Sequence, residues 1–275
     1  HTKTNRFPTI ITEEVENRII QMIHENPEGS SLRKLAARVG ISSTSIRTVL
    51  AKRGFRYKGF DDSILYTEEE RMIRVDFCKK MLADEGKLIY QSFFADEMGI
   101  ELNKTFKNKA WQLATEKIRR KTAAENVKLS CWGAISVQGA TSLDIYKKGM
   151  KGELFRKVIE SHKEEMEKLY ADGEFYFIQD NHPTHRMNED WMMNEQHFRL
   201  IKLPSRSNDL NIIENLWAAL KERVASDAPT NEQEMRTSLI SNWEILTKPG
   251  RLQPFFDGLY KRYKECMAKD GKQLR

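Results

Sequence analysis

The chain has 275 residues, with 46 Lys plus Arg against 40 Asp plus Glu for a net charge of +6, and 39% of its residues are hydrophobic. That is enough for one large or two modest domains with real cores, and it excludes a disordered chain. No stretch approaches the ~18 uninterrupted apolar residues of a membrane span, the start lacks the apolar core of a secretory signal, and Cys78, Cys131 and Cys266 are odd in number and far apart, so membrane, secreted and disulfide-framework readings drop out and a reducing compartment is expected.

The first residue is His1 rather than Met, so the sequence reads as a trimmed or fragmentary product. Residues 1–60 hold 11 Lys/Arg and 5 Asp/Glu, which leaves 35 of each sign in the rest. A basic front on a neutral body suggests that the first part meets a polyanion while the second does something else; a solvated charged surface is the plain alternative.

From Thr12 to His24, Val15, Ile19, Ile20 and Ile23 recur at helical spacing, with Thr12 as cap and Glu14 and Glu16 in the first turn. Asn26, Pro27 and Gly29 break that helix. Ser30 or Ser31 then caps a second one, in which Leu32, Leu35, Ala36 and Val39 share a face before Gly40 ends it. After the turn Gly40-Ile41-Ser42, a third helix from about Ser43 to Arg53 points Ile46, Val49 and Leu50 inward. Its outer face keeps Ser43, Thr44, Ser45, Arg47, Thr48, Lys52 and Arg53, short polar groups and cations of the kind used in the DNA major groove. The segment from Leu32 to Leu50 resembles a helix-turn-helix of the homeodomain-like kind, which makes residues 1–55 a DNA-binding domain; the alternative is a three-helix bundle with an ordinary polar face. Phosphate contacts are expected from Arg33, Lys34, Arg47, Lys52 and Arg53, and base contacts from Ser43, Thr44, Ser45 and Arg47.

Residues 56–84 read as a linker and connecting helix, the helix capped by Thr67 and running to about Ala83. A strand follows from Lys87 to Ala95 and stops at Asp96-Glu97, so Asp96 is expected at a strand end. Gly99 to Phe106 is expected to pair back, and Lys128 to Ser136 with Thr141 to Tyr146 to form a hairpin around Gln138-Gly139. A helix from Gly152 to Tyr170 precedes a second acid-tipped strand, Glu174 to Asp180. Then come a helix from Asn188 to Gln196, a strand from Phe198 to Leu203, a loop at Pro204 to Asn208, and a helix reaching about Ala225 that carries Glu214 in its first turn. Two further helices are separated by Pro249-Gly250. The fold class expected for residues 85–275 is α/β, a mixed sheet flanked by helices, preceded by the small all-α domain.

One aspartate past a strand is commonly a turn or cap residue. Two of them and a first-turn glutamate can converge at one sheet edge, where their mutual repulsion calls for cations between them. Hard oxygen ligands select Mg²⁺ or Mn²⁺, and two such ions suit phosphodiester cleavage.

Phe94-Ala-Asp-Glu97, Cys131-Trp-Gly133, Gln179-Asp-Asn-His-Pro-Thr-His185 and Pro204-Ser-Arg-Ser-Asn-Asp-Leu-Asn-Ile-Ile-Glu-Asn-Leu-Trp217 resemble, in order, the signature blocks of mariner-like transposases. The resemblance implies a ribonuclease H-like catalytic core in which Asp96, Asp180 and Glu214 bind two Mg²⁺ ions, with Mn²⁺ able to substitute; Asp180 and Glu214 lie 34 positions apart, close to the family pattern. It also implies binding of transposon terminal inverted repeats, cleavage of both strands, joining to a TA target, and a homodimer, with the nucleus as the expected compartment. Asn181 is expected to orient Asp180 or approach DNA, and His185 to hydrogen-bond within the loop and shape the site.

Some features depart from the family. It generally has two helix-turn-helix units and a basic linker, whereas one unit is legible here; Asn208 and Ile212 stand where prolines are usual, and Met98 where a small polar residue is. His182 and His185 lack a cysteine partner and read as structural rather than zinc-binding. Trp132 and Trp217 read as core, and Glu97 as a structural acid on the strand face opposite Asp96. The run Lys117 to Lys121 is either solvated surface or a phosphate clamp. Two other functions compete with transposition: a domesticated DNA-binding or chromatin-associated protein without turnover, and a nuclease acting on RNA.

Overall fold

The computed structural model describes residues 11–26, 30–57, 64–102, 127–147, 149–170, 174–194 and 196–274. The chain forms two compact units, His1–Asp62 and Ser63–Arg275.

In the first unit the three helices are α1 (Glu13–Glu25), α2 (Leu32–Val39) and α3 (Ser43–Lys52). Thr12, Ser31 and Ser42 cap them, each side-chain oxygen accepting a backbone N–H three residues on. Gly40 ends α2 at φ +77°, the left-handed conformation that a residue without Cβ takes most readily. Ile19, Leu35, Ile46 and Val49 form the buried centre.

The second unit starts with α4 (Glu68–Tyr90), closed at its N-terminus by a capping box between Thr67 and Glu70. It breaks at residues 83–86, where Asp84, Glu85 and Gly86 all have positive φ. The sequence-predicted end at Ala83 coincides with this break, but Lys87 to Tyr90 return to a helical turn instead of starting a strand. The reason lies in pairing: the partner strand reaches back only to Ser92, and Gln91 N–H closes the turn on the Lys87 carbonyl at 2.9 Å. α4 packs on the last helix of this unit, so it is part of the body and not a free connector.

The sheet comprises β1 (Ser92–Glu101), β2 (Lys128–Ser136), β3 (Gly139–Ala140), β4 (Asp144–Tyr146), β5 (Tyr176–Gln179) and β6 (Arg199–Lys202). Its order is β3-β2-β1-β5-β6, with β4 also on β2. β1 pairs antiparallel with β2 and parallel with β5, which pairs parallel with β6. β2 gives β1 a partner as far as Glu101, opposite Lys128, so residues 99–101 extend β1 instead of pairing back, and Asp96 lies mid-strand opposite Gly133. Residues 103–106 of that expected return strand, and the basic run 117–121, fall outside the described residues.

α5 (Gly152–Leu169), α6 (Pro183–Arg186), α7 (Glu189–Asn194), α8 (Ile213–Asp227), α9 (Glu232–Leu246) and α10 (Gln253–Ala268) complete the unit. The two-residue period of β1 divides the core. Phe93 and Ala95 join Phe155, Ile159 and Trp191 of α5 and α7 on one face, and Phe94, Met98 and Ile100 join α4, α8, α9 and α10 on the other.

Candidate active site

Asp96 belongs to the α8 face of β1. Its Oδ1 accepts the Glu97 backbone N–H at 2.7 Å and its Oδ2 the Asn211 side-chain amide at 3.3 Å. Burial, opposed by the Glu97 backbone bond and reinforced by the charges of Asp180, Glu214 and Glu97, pushes this carboxyl up to about 8.

Asp180 follows β5 directly. The β1–β5 ladder ends at Phe94 opposite Ile178, two residues before each aspartate, so the parallel strands part just where the acids stand, the crevice in which open α/β sheets commonly bind ligands. Burial would raise the Asp180 carboxyl, but His185 Nδ1 at 2.7 Å and the His182 backbone N–H at 2.9 Å, both on Oδ1, hold it below its usual range.

Glu214 sits in the first turn of α8, and its Oε1 accepts from Asn208 Nδ2 at 3.0 Å. Burial raises its carboxyl against the lowering pull of Lys221 and Asn208, and the Asp180 charge adds to the rise. Asn208 and Asn211 belong to a loop pinned from below: Arg74 grips Asp209 and Ser207, and Tyr263 donates to the Leu210 carbonyl at 3.0 Å. β2 contributes Gly133, beside which a Cβ would stand 2.8 Å from Trp243 and 3.3 Å from Trp217, so glycine is what lets these stacked indoles, and α8 with them, lie close on the sheet.

The three acids thus bear on one another's charge where β1 and β5 part. Coordination distance is a further condition, and among the described residues no three His, Cys, Asp or Glu side chains close on a common metal position. Each carboxylate is turned to its own donor instead, Asp96 to Asn211, Asp180 to His185 and Glu214 to Asn208. The donor set is all oxygen, which fits a hard divalent cation. Beside it a cavity of about 280 Å³ is lined by Asp180, Asn181, His182 and residues 203–208.

Asn181 donates to the Leu203 carbonyl at 2.5 Å, which ties the residues after β5 to the end of β6. His185 is 1% exposed and bridges two acids: Nδ1 meets Asp180, and Nε2 lies 3.1 Å from Glu97 Oε1. Burial pulls its pKa down, yet the two carboxylates prevail and bring it to about 10. Glu97 does leave β1 on the face opposite Asp96, but its contact there is the histidine of the site. Asn208, Asn211 and Glu97 are the site neighbours that sequence reasoning missed as such; only their adjacency to the predicted acids signalled them. Trp132 and Trp217 are core, 1% and 2% exposed.

In the helical unit Arg33, Lys34, Thr44 and Arg47 are exposed and Ser43 and Ser45 half-buried. Ser45 is engaged at the α3 cap, its Oγ 2.9 Å from that of Ser42. Lys52 and Arg53 pair within the unit, Lys52 Nζ lying 2.9 Å and Arg53 Nε 2.7 Å from the buried Glu16 carboxylate of α1, with the Lys52 side chain still exposed and the Arg53 side chain half-buried.

Residues 91–236 match the family described as DDE superfamily endonuclease. The Tc3 transposable-element transposase of Caenorhabditis elegans is 27% identical over 122 residues, covering 42% of this chain and 36% of that protein, so the match spans about a third of that relative. Among solved structures, the Mos1 transposase paired-end complex with the left transposon end has a TM-score of 0.68 at 15% identity, covering 100% of this chain and 83% of the other. The Mos1 paired-end complex with Mg gives 0.69 at 14% identity, with the same coverage. This likeness is one of fold, the ribonuclease H-like mixed sheet flanked by helices.

Proposed function

This chain belongs to the DDE superfamily endonucleases, and from that premise we propose that it is a mariner-like DNA transposase that cuts DNA at transposon ends and joins it to a target. Asp96, Asp180 and Glu214 hold two Mg²⁺ ions, replaceable by Mn²⁺. Such a pair, when bound, activates the attacking oxygen and stabilises the leaving one in phosphodiester cleavage. The observation that carries the reading is the placement of buried Asp96 beside Asp180, where β1 and β5 part, with Asp180 and Glu214 close enough for their charges to add to burial in pushing its carboxyl up: acids held this way favour a cation among them.

The chain's own groups prepare that edge. Asn211 and the Glu97 backbone hold Asp96, Asn208 restrains Glu214, and His185 holds one oxygen of Asp180. The α2–α3 helix-turn-helix meets duplex DNA, the terminal inverted repeats, through Arg33, Lys34 and Arg47 to phosphates and Ser43, Thr44 and Arg47 toward bases. Ser45 serves first as part of the helix cap. The enzyme acts as a homodimer in the nucleus, at a TA target; the existence of Mos1 paired-end complexes, with a transposon end and with Mg or Mn, supports the DNA-end, pairing and metal parts of this reading.

The test is Mg²⁺-dependent nicking of a plasmid bearing the genomic sequences on either side of the gene for this chain. Asp96→Ala and Asp180→Asn are expected to abolish nicking and to keep binding of the same DNA. Equal nicking by wild type and both variants sinks the catalytic assignment, and binding without cleavage by wild type across Mg²⁺ and Mn²⁺ concentrations points to a domesticated binding protein.

A further inference from the structure

Backbone pairing between β1 and β5 stops at Phe94 opposite Ile178, so from there to the acids side chains must keep the strands in place. One series of hydrogen bonds does so. Glu97 Oε1 lies 3.1 Å from His185 Nε2, and His185 Nδ1 lies 2.7 Å from Asp180 Oδ1. Carboxylate oxygens accept and do not donate, so the ring presents an N–H to each of them. The ring is packed against Phe155, with centroids 5.0 Å apart. Held at one nitrogen, an imidazole still tilts about that bond; held at both, its plane and its distance from each partner are fixed. Asp180 Oδ1 also takes the His182 N–H at 2.9 Å, so both donors fall on one oxygen of this carboxylate.

Resting on the catalytic reading above, we propose that Glu97 is a positioning residue for Asp180: it accepts from His185 Nε2, fixes the ring that holds Asp180 Oδ1, and thereby leaves the other carboxylate oxygen aimed at the cation. The β-strand period makes this possible, because neighbouring residues of β1 then serve the site from its two sides, Asp96 directly and Glu97 around the edge of the sheet through the histidine. Partners behind a ligand set its orientation, and their loss typically weakens metal binding by about 10- to 100-fold.

The experiment compares Glu97→Met, which keeps the bulk without an acceptor for an N–H, with Glu97→Gln, whose side-chain carbonyl still accepts. Mn²⁺ binding to the full chain without DNA is followed by electron paramagnetic resonance, nicking by kcat and KM for the plasmid above, and folding by thermal melting. Glu97→Met is expected to weaken Mn²⁺ binding by about 10-fold or more and to lower kcat at unchanged KM, with Glu97→Gln close to wild type and equal melting temperatures. Wild-type Mn²⁺ affinity in Glu97→Met overturns the proposal. So does a Gln variant as impaired as the Met variant, or a loss that merely follows a fall in melting temperature. Asp180→Asn separates the two levels: if it too keeps Mn²⁺ binding and nicking, the catalytic reading itself fails; if it loses both while Glu97→Met loses neither, only the positioning role of Glu97 fails.

Discussion

Arg74 and Asp209 meet at two points, Nη1 to Oδ1 at 2.9 Å and Nη2 to Oδ2 at 2.6 Å, beneath the loop that carries Asn208 and Asn211. The Arg74 side chain is 1% exposed and also donates to the Gly271 carbonyl at 2.8 Å, while Asp209 Oδ2 accepts the Leu274 backbone N–H at 2.9 Å. α4, the loop before Glu214 and the end of the chain therefore share one buried ion pair. Removing one partner of such a pair strands the other charge away from water. Arg74→Ala is expected to destabilise the 63–275 unit by about 3–5 kcal/mol, read by urea denaturation. Joint replacement by Arg74→Met and Asp209→Leu should cost less than Arg74→Ala alone, because no orphan charge remains. An Arg74→Ala unit as stable as wild type would show that the pair is not holding the loop.

Asp96 gives the metal-free protein a pH signature. Its folded pKa, about 8, lies above the ordinary aspartate value of 3.8, so the folded state binds the proton more tightly than the unfolded one. The resulting stability is fully present below the ordinary value and is lost as pH rises through about 8. Asp96→Asn stays neutral throughout. In EDTA it should match wild type near pH 4 and exceed it at pH 9 by an amount on the order of a few kcal/mol. Denaturant titrations of both proteins across that range check the sign; a difference independent of pH would contradict it.

The basic residues of the helix-turn-helix should divide into two groups. Lys52 and Arg53 are held by Glu16, so Lys52→Ala and Arg53→Ala should lower the melting temperature of the first unit more than they weaken DNA binding. Arg33→Ala, Lys34→Ala and Arg47→Ala should instead each reduce the salt dependence of binding, the log–log slope falling by about 1 for every phosphate that the variant leaves without its cation. Fluorescence anisotropy over a range of salt concentrations distinguishes the groups, and equal slopes for all five variants would refute the division.

Gly133→Ala places a methyl 2.8 Å from Trp243 and 3.3 Å from Trp217. Trp217 shares α8 with Glu214, so relief of the clash moves the helix that carries the third acid. A loss of about 1–3 kcal/mol is expected, together with a fall in nicking activity larger than that of a surface control. Unchanged melting and nicking would mean that the indole stack gives way without moving α8.

Much of this architecture can be read along the chain because its causes are local. Thr12, Ser42 and Thr67 cap helices through their own side chains, Gly40 takes a left-handed turn, and the apolar spacings of α2 and α3 already name their buried faces. The words around them single out the three acids, and in the fold their charges bear on one another. Local signals fail where a partner decides. Leu88, Ile89 and Tyr90 have strand-like side chains but no strand to pair with before Ser92, so they coil; Asp96 looks like a strand terminus, but β2 carries β1 past it to Glu101. The fates of Glu97, Asn211, Lys52 and Arg53 were likewise set by residues distant in sequence, His185, Asp96 and Glu16. Capping and periodicity are short-range effects that a sequence determines by itself, whereas which oxygen meets which donor, and which cation remains free for DNA, depends on packing that brings remote segments together, and only the tertiary structure decides it.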